Sequence, residues 1–119
     1  MVALTAALFK AIVNDAAISA TNAEYIIDYA IGKINNYSNA GLPLMGGTAG
    51  SKTVSLEDRK YAAVMDAARA IYYGAYKKVK GASIGGFTLT PADLLSNPTV
   101  VESIKEAARQ LAEFDVGYG

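Results

Sequence analysis

The chain has 119 residues, with 11 basic and 11 acidic side chains for a formal net charge of +0, and it contains neither cysteine nor histidine. That composition excludes disulfides, thiolate nucleophiles, Cys- or His-ligated metals and the usual neutral-pH proton shuttle, and it offers no basic footprint for nucleic acid or an anionic membrane. Hydrophobic residues make up 52% and mean hydropathy is +0.20, more apolar surface than one small core hides, so self-association or a partner is expected.

The length fits a single domain over residues 1–119. The opening MVALTAALFKAIVND predicts an amphipathic helix over residues 2–13, with Leu4, Leu8, Ala11 and Ile12 on one face. Lys10 interrupts it, and it lacks a basic start, a small-residue cleavage site and the length to span a bilayer, so it reads as neither signal nor anchor. Thr21 and Glu24 have the spacing of a capping box and predict a helix over residues 21–37. Its apolar stripe is Ala23, Ile26, Ile27, Ala30, Ile31 and Ile34, with Tyr25 and Tyr29 one turn apart on the flank. Residues 38–54 form a Gly-rich flexible loop that carries Leu42, Pro43, Leu44 and Met45. Four apolar residues in a row leave two readings open: the loop folds back onto the bundle, or it presents a contact to another subunit.

A long central helix is expected over residues 55–80, capped by Ser55 and ended at Gly81, extending roughly 39 Å at ~1.5 Å per residue. Its stripe is Tyr61, Val64, Met65, Ala68, Ile71, Tyr72, Ala75 and Val79, and Lys77, Lys78 and Lys80 complement the dipole at its end. Residues 83–89 alternate weakly and suggest a short β arm. Thr90-Pro91 opens a helical turn, and Asn97-Pro98 starts a last helix to Phe114 with Val101, Ile104, Ala108 and Leu111 inward. Residues 115–119 read as a mobile tail. The fold class is therefore all-α: a small multi-helix bundle with one long central helix, a Gly-rich loop and a short β arm.

Little in this pattern carries chemistry. Gly46-Gly47-Thr48-Ala49-Gly50-Ser51-Lys52-Thr53 falls short of a P-loop, because Ser51 stands where the phosphate wrap needs glycine and a helix precedes the loop in place of a strand. Glu24 with Asp28, and Glu102 with Glu106, sit one turn apart, but Lys33, Lys105 and Arg109 beside them mark solvated ion-pair faces. No catalytic, cofactor-binding or metal-binding residue is predicted. The sharpest signal is the run Tyr72, Tyr73 and Tyr76 with Arg69 nearby. Tyrosine suits surfaces that are exposed before association and buried after it; Tyr72 reads as core, and Tyr73 and Tyr76 as interface.

The helix IDYAIGKINNY, the loop with LPLMGG and the helix SKTVSLEDRKYAAVMDAARAIYYGAYKK resemble, in that order, the small head–tail adaptor (connector) proteins of tailed viruses of bacteria and archaea. The segment LTPADLLSNPTVVESIKEAARQL is similar to the C-terminal helix of some of them, so the likeness covers about residues 24–111. It implies a structural virion protein of the neck, assembled in the host cytoplasm, that forms an oligomeric ring matching the portal's twelvefold symmetry. Such a ring binds the portal protein on one side and a tail-completion or stopper protein on the other. DNA passes through it without specific nucleic-acid binding, and neither a cofactor nor a membrane is involved. On this likeness the subunit and partner contacts fall on Leu42, Leu44, Met45, Arg69, Tyr73, Tyr76, Val116 and Tyr118. The residues by themselves also admit a cytosolic helical interaction or regulatory module that forms a small homo-oligomer.

Overall fold

In the computed structural model, which describes residues 2–76 and 98–118 and the side chains within 2–74 and 98–111, Thr5 divides the apolar N-terminus into two elements. Strand β1 is Val2–Thr5 and helix α1 is Ala6–Val13. Thr5 keeps an extended backbone and its Oγ1 accepts from the Leu8 N–H at 3.1 Å, which starts the helix four residues later than its hydropathy suggests. The buried face of α1 also differs from the expected one. Ala6, Phe9 and Val13 point inward, Leu8 is half-buried, and the expected face residues Ala11 and Ile12 are exposed.

β1 pairs antiparallel with β2 (Thr53–Leu56), with Val2 opposite Leu56 and Thr5 opposite Thr53. The fold is therefore mostly helical with a small two-stranded sheet, and not all-α. Thr-Val-Ser-Leu alternates in hydropathy and is β-prone, and Val54 and Leu56 join Leu4 in the core. Ser55 is thus a strand residue and not a helix cap.

Helix α2 covers Ala20–Ser38. Its N-cap is Ser19, whose Oγ accepts from the Asn22 N–H at 3.1 Å, so Thr21 lies inside the first turn and the Glu24 carboxylate is released from capping. Every residue of the expected stripe from Ala23 to Ile34 is fully buried. Helix α3 is Asp58–Ile71, preceded by Glu57, and it gives way to a π-helical turn over Tyr72–Tyr76. The continuous long central helix expected over residues 55–80 is not what forms; Gly74 weakens α-helix at the point where the turn widens. The expected helix end, the β arm at 83–89 and the turn at 90–95 lie outside the described residues. Helix α4 is Pro98–Tyr118, so the backbone of 115–118, expected to be a loose tail, continues the helix. On α4, Val100 takes the core position expected of Val101, alongside Ile104, Ala108 and Leu111.

α2, α3 and α4 pack pairwise on one another, and α1 lies against α2. Tyr72 ties the N-terminal unit to this bundle. Its ring meets Phe9 edge-on at 6.1 Å between centroids, and its hydroxyl donates to Asp15 Oδ2 at 2.6 Å. Asp15 Oδ1 also accepts from the Ala17 N–H at 3.0 Å, fixing the turn between α1 and α2. A buried hydroxyl aimed at a carboxylate is costly to remove, so Tyr72→Phe is expected to lose about 1–2 kcal/mol in urea unfolding. An unchanged midpoint would show that the bond contributes nothing.

Candidate interaction surface

The loop between α2 and β2 is not free. It runs back along α2, antiparallel to it, and three α2 side chains grip its backbone. Asn35 comes first: its Oδ1 accepts from the Leu42 N–H at 2.8 Å and its Nδ2 donates to the Leu42 carbonyl at 2.9 Å. Asp28 Oδ1 accepts from the Met45 N–H at 2.9 Å, and its Oδ2 lies 3.7 Å from the Lys52 ammonium. Glu24 then accepts from the N–H groups of Gly50 and Lys52 at 2.8 and 3.0 Å. The carboxylates read as a solvated ion-pair face are thus turned into the loop, and Glu24, only 3% exposed, is the buried charged residue among the described residues. The spacing 24, 28, 35 places all three on one side of the helix, beside the apolar stripe.

This grip sorts the loop's apolar residues. Leu42 and Met45, expected as interface, are buried in the chain's own core, whereas Leu44 between them is 59% exposed. The loop thus folds back and still presents one large apolar side chain. Of the other expected contact residues, Arg69 is exposed and Tyr73 is 46% exposed. Tyr76 lies in the π turn and Val116 and Tyr118 lie on α4; their side chains fall outside the described set.

A second strip runs along α2, where Tyr25, Tyr29, Lys33 and Tyr37 recur every four residues; Tyr25 and Tyr37 are exposed, and Tyr29 and Lys33 between them are half-buried. Tyr25 and Tyr29 stack with centroids 6.4 Å apart, and the Lys33 ammonium sits 5.7 Å from the Tyr29 ring centre. Lys105 of α4 sits 5.8 Å over Tyr37, which is exposed at the end of the strip. Tyr37 continues the row of Tyr25 and Tyr29 by its spacing of four from Lys33, a signal present in the sequence. The Tyr29 hydroxyl is buried and has no hydrogen-bond partner among the described residues.

Clefts lie beside these strips. One, of about 400 Å³, is lined by alanines of α1 and α2 with Lys10, Asp15 and the loop residue Gly50. Another, of about 460 Å³, lies between α3 and α4 with Asp66, Glu102 and Glu106 on its walls. There Glu102 pairs with Lys105 at 4.0 Å and Glu106 with Arg109, which are the surface ion pairs the sequence suggests. Among the described residues no group of His, Cys, Asp and Glu could hold a metal ion, and no helix is long and apolar enough to cross a membrane. The arrangement offers a pinned loop with Leu44 outward, exposed tyrosines on two helical segments, and mixed charge around them.

Two outcomes test this geometry. Asn35→Ala removes both bonds to Leu42, and the Leu42 amide is expected to exchange with solvent at least tenfold faster; an unchanged rate would mean the loop is held by other contacts. Tyr29 responds to alkali. Burial, and then the neighbouring Tyr25 and Tyr37, push its hydroxyl above the ordinary value of 10.0. The folded state therefore holds this proton more tightly than the unfolded chain. Its contribution is complete below about pH 10 and is lost as pH rises through the higher folded value. Tyr29→Phe is expected to flatten that alkaline loss, and at neutral pH to cost nothing because no bond is broken. A clear neutral-pH destabilisation of this variant would contradict the unpartnered hydroxyl.

No family model matches the chain, and neither does any curated protein or solved structure.

Proposed function

We propose that this chain is a structural subunit whose work is to touch neighbours: a head–tail adaptor that forms an oligomeric ring in the neck of a tailed virus. On this reading the ring joins the portal protein to a tail-completion or stopper protein, and DNA passes through its centre. The observation that carries the proposal is the exposure of Leu44, Tyr25, Tyr37 and Tyr73 on a body whose apolar helix stripes are buried among the described residues. Large apolar and tyrosine side chains left exposed are the composition of association surfaces. The pinned loop adds to this, because a contact residue on a held backbone loses little freedom on binding. The specific family is proposed on the resemblance of the order helix, LPLMGG loop and Ala-rich Ile-Tyr-Tyr helix to that of the adaptors.

A second reading, a cytosolic interaction module forming a small homo-oligomer, is favoured by the row of Tyr25, Tyr29 and Tyr37 along one helix, a surface that can face its own copy across a twofold axis. Mass separates the two. Light scattering and electron micrographs of the protein, alone and with its candidate portal, are expected to show a ring in at least one condition. A stable dimer that ignores the portal would support the second reading, and a strict monomer with no portal binding would sink the first.

Substitution locates the contact. Leu44→Asp, at an exposed position, is expected to change stability by no more than about 0.5 kcal/mol, whereas Tyr73→Ala also loses the edge-on contact with Tyr72 at 5.0 Å and is expected to cost about 1 kcal/mol. They should weaken assembly or portal binding at least tenfold, or about 1.4 kcal/mol. Leu42→Asp, by contrast, is expected to destabilise the monomer itself. If Leu44→Asp and Tyr73→Ala assemble like the parent chain, these residues are not the contact.

A further inference from the structure

The segment that falls short of a P-loop nevertheless binds an anion, and the anion belongs to the chain. Gly46 and Thr53 exchange both backbone bonds, at 2.9 and 3.0 Å, and close residues 46–53 into a small hairpin. Inside it Ser51 N–H donates to the Thr48 carbonyl at 2.8 Å. Gly47 and Gly50 have φ of 115° and 93°, a left-handed backbone open to glycine, and such turns aim amides to one side. The amides of Gly50 and Lys52 converge on the two oxygens of Glu24 at 2.8 and 3.0 Å. Each carboxylate oxygen takes one donor, and Glu24 as a whole is buried, at 3% exposed.

We propose that residues 46–53 are a receptor for a small oxyanion, filled in the native chain by the Glu24 carboxylate as an internal ligand. Removing that carboxylate opens the receptor to a free one. Two amide donors matched to two oxygens suit a carboxylate best; phosphate presents the same pair of oxygens with more charge and ranks second. The neighbourhood is of mixed charge. The Lys52 ammonium beside the hairpin already faces Asp28 at 3.7 Å, and the alanine-walled cleft of about 400 Å³ that Gly50 lines carries both Lys10 and Asp15. That cleft gives an acetate-sized molecule a way in beside one of the two donors. The segment is no P-loop, since a helix precedes it and strand β2 follows it; what it holds is two backbone amides aimed at one internal carboxylate. This inference stands independently of the proposed neck role.

The test uses the full chain with Glu24→Ala and sodium acetate as the probe, against sodium chloride at equal ionic strength. Glu24→Ala is expected to lower the thermal midpoint. Acetate should restore at least half of that loss and move the Gly50 and Lys52 amide resonances along a saturable curve, with phosphate acting more weakly. The parent chain, its site filled, should show no such shift. Equal responses to acetate and chloride, or amide resonances in Glu24→Ala that ignore acetate, overturn the proposal. Glu24→Gln keeps the side chain's shape and provides a folded second arm: its Gly50 and Lys52 amides should exchange at least tenfold faster than in the parent. Parental exchange rates in Glu24→Gln would likewise overturn it.

Discussion

A carboxylate sealed inside a helical protein is expensive unless every oxygen finds a donor. Glu24 meets that demand with two backbone amides of the α2–β2 loop, and much of the fold depends on the pairing. Both donors sit immediately before β2, so anchoring them on α2 sets where Thr53–Leu56 can run. β2 in turn is the only partner of β1 among the described residues, and β1 decides where α1 begins. One buried charge therefore links the helix at the centre of the chain to the first residues at its end. Asp28 and Asn35 extend the same device along the helix, so the loop is held at three stations and not at one.

The arrangement explains why a loop rich in glycine need not be loose. Glycine at 47 and 50 supplies left-handed backbone that turns amides inward, and α2 supplies acceptors at matching positions. Apolar pegs complete the grip: Leu42 and Met45 enter the core while Pro43 and Leu44 stay outside. A held loop with an outward leucine is better suited to forming a contact than a mobile one, because ordering it has already occurred during folding. That is the link between the internal chemistry of the loop and the association surface proposed for the chain.

Much of the helical layout was legible in the linear pattern. The stripe from Ala23 to Ile34 needed no tertiary information, since a one-sided repeat on a capped helix has a single way to be buried. The same holds for Val64, Met65, Ala68 and Ile71, and for Ile104, Ala108 and Leu111. Reading stopped where two elements of similar hydropathy compete. Val2–Thr5 is apolar enough for a helix start and β-prone enough for a strand, and only the presence of a partner strand some fifty residues away decides between them. The candidate surface was half legible: Tyr73 and Leu44 were visible as misplaced apolar residues, but nothing local told Leu44 from Leu42.

The amino-acid sequence by itself determined the number of long amphipathic segments, the composition of their buried faces, and the absence of cysteine and histidine chemistry. These are properties of spacing and side-chain type, which act within a turn or two of helix. The tertiary structure alone decided what the carboxylates do. Glu24 and Lys52 are close only because the chain doubles back, and whether a carboxylate faces water, a lysine or an amide is settled by which distant backbone is brought within hydrogen-bond reach.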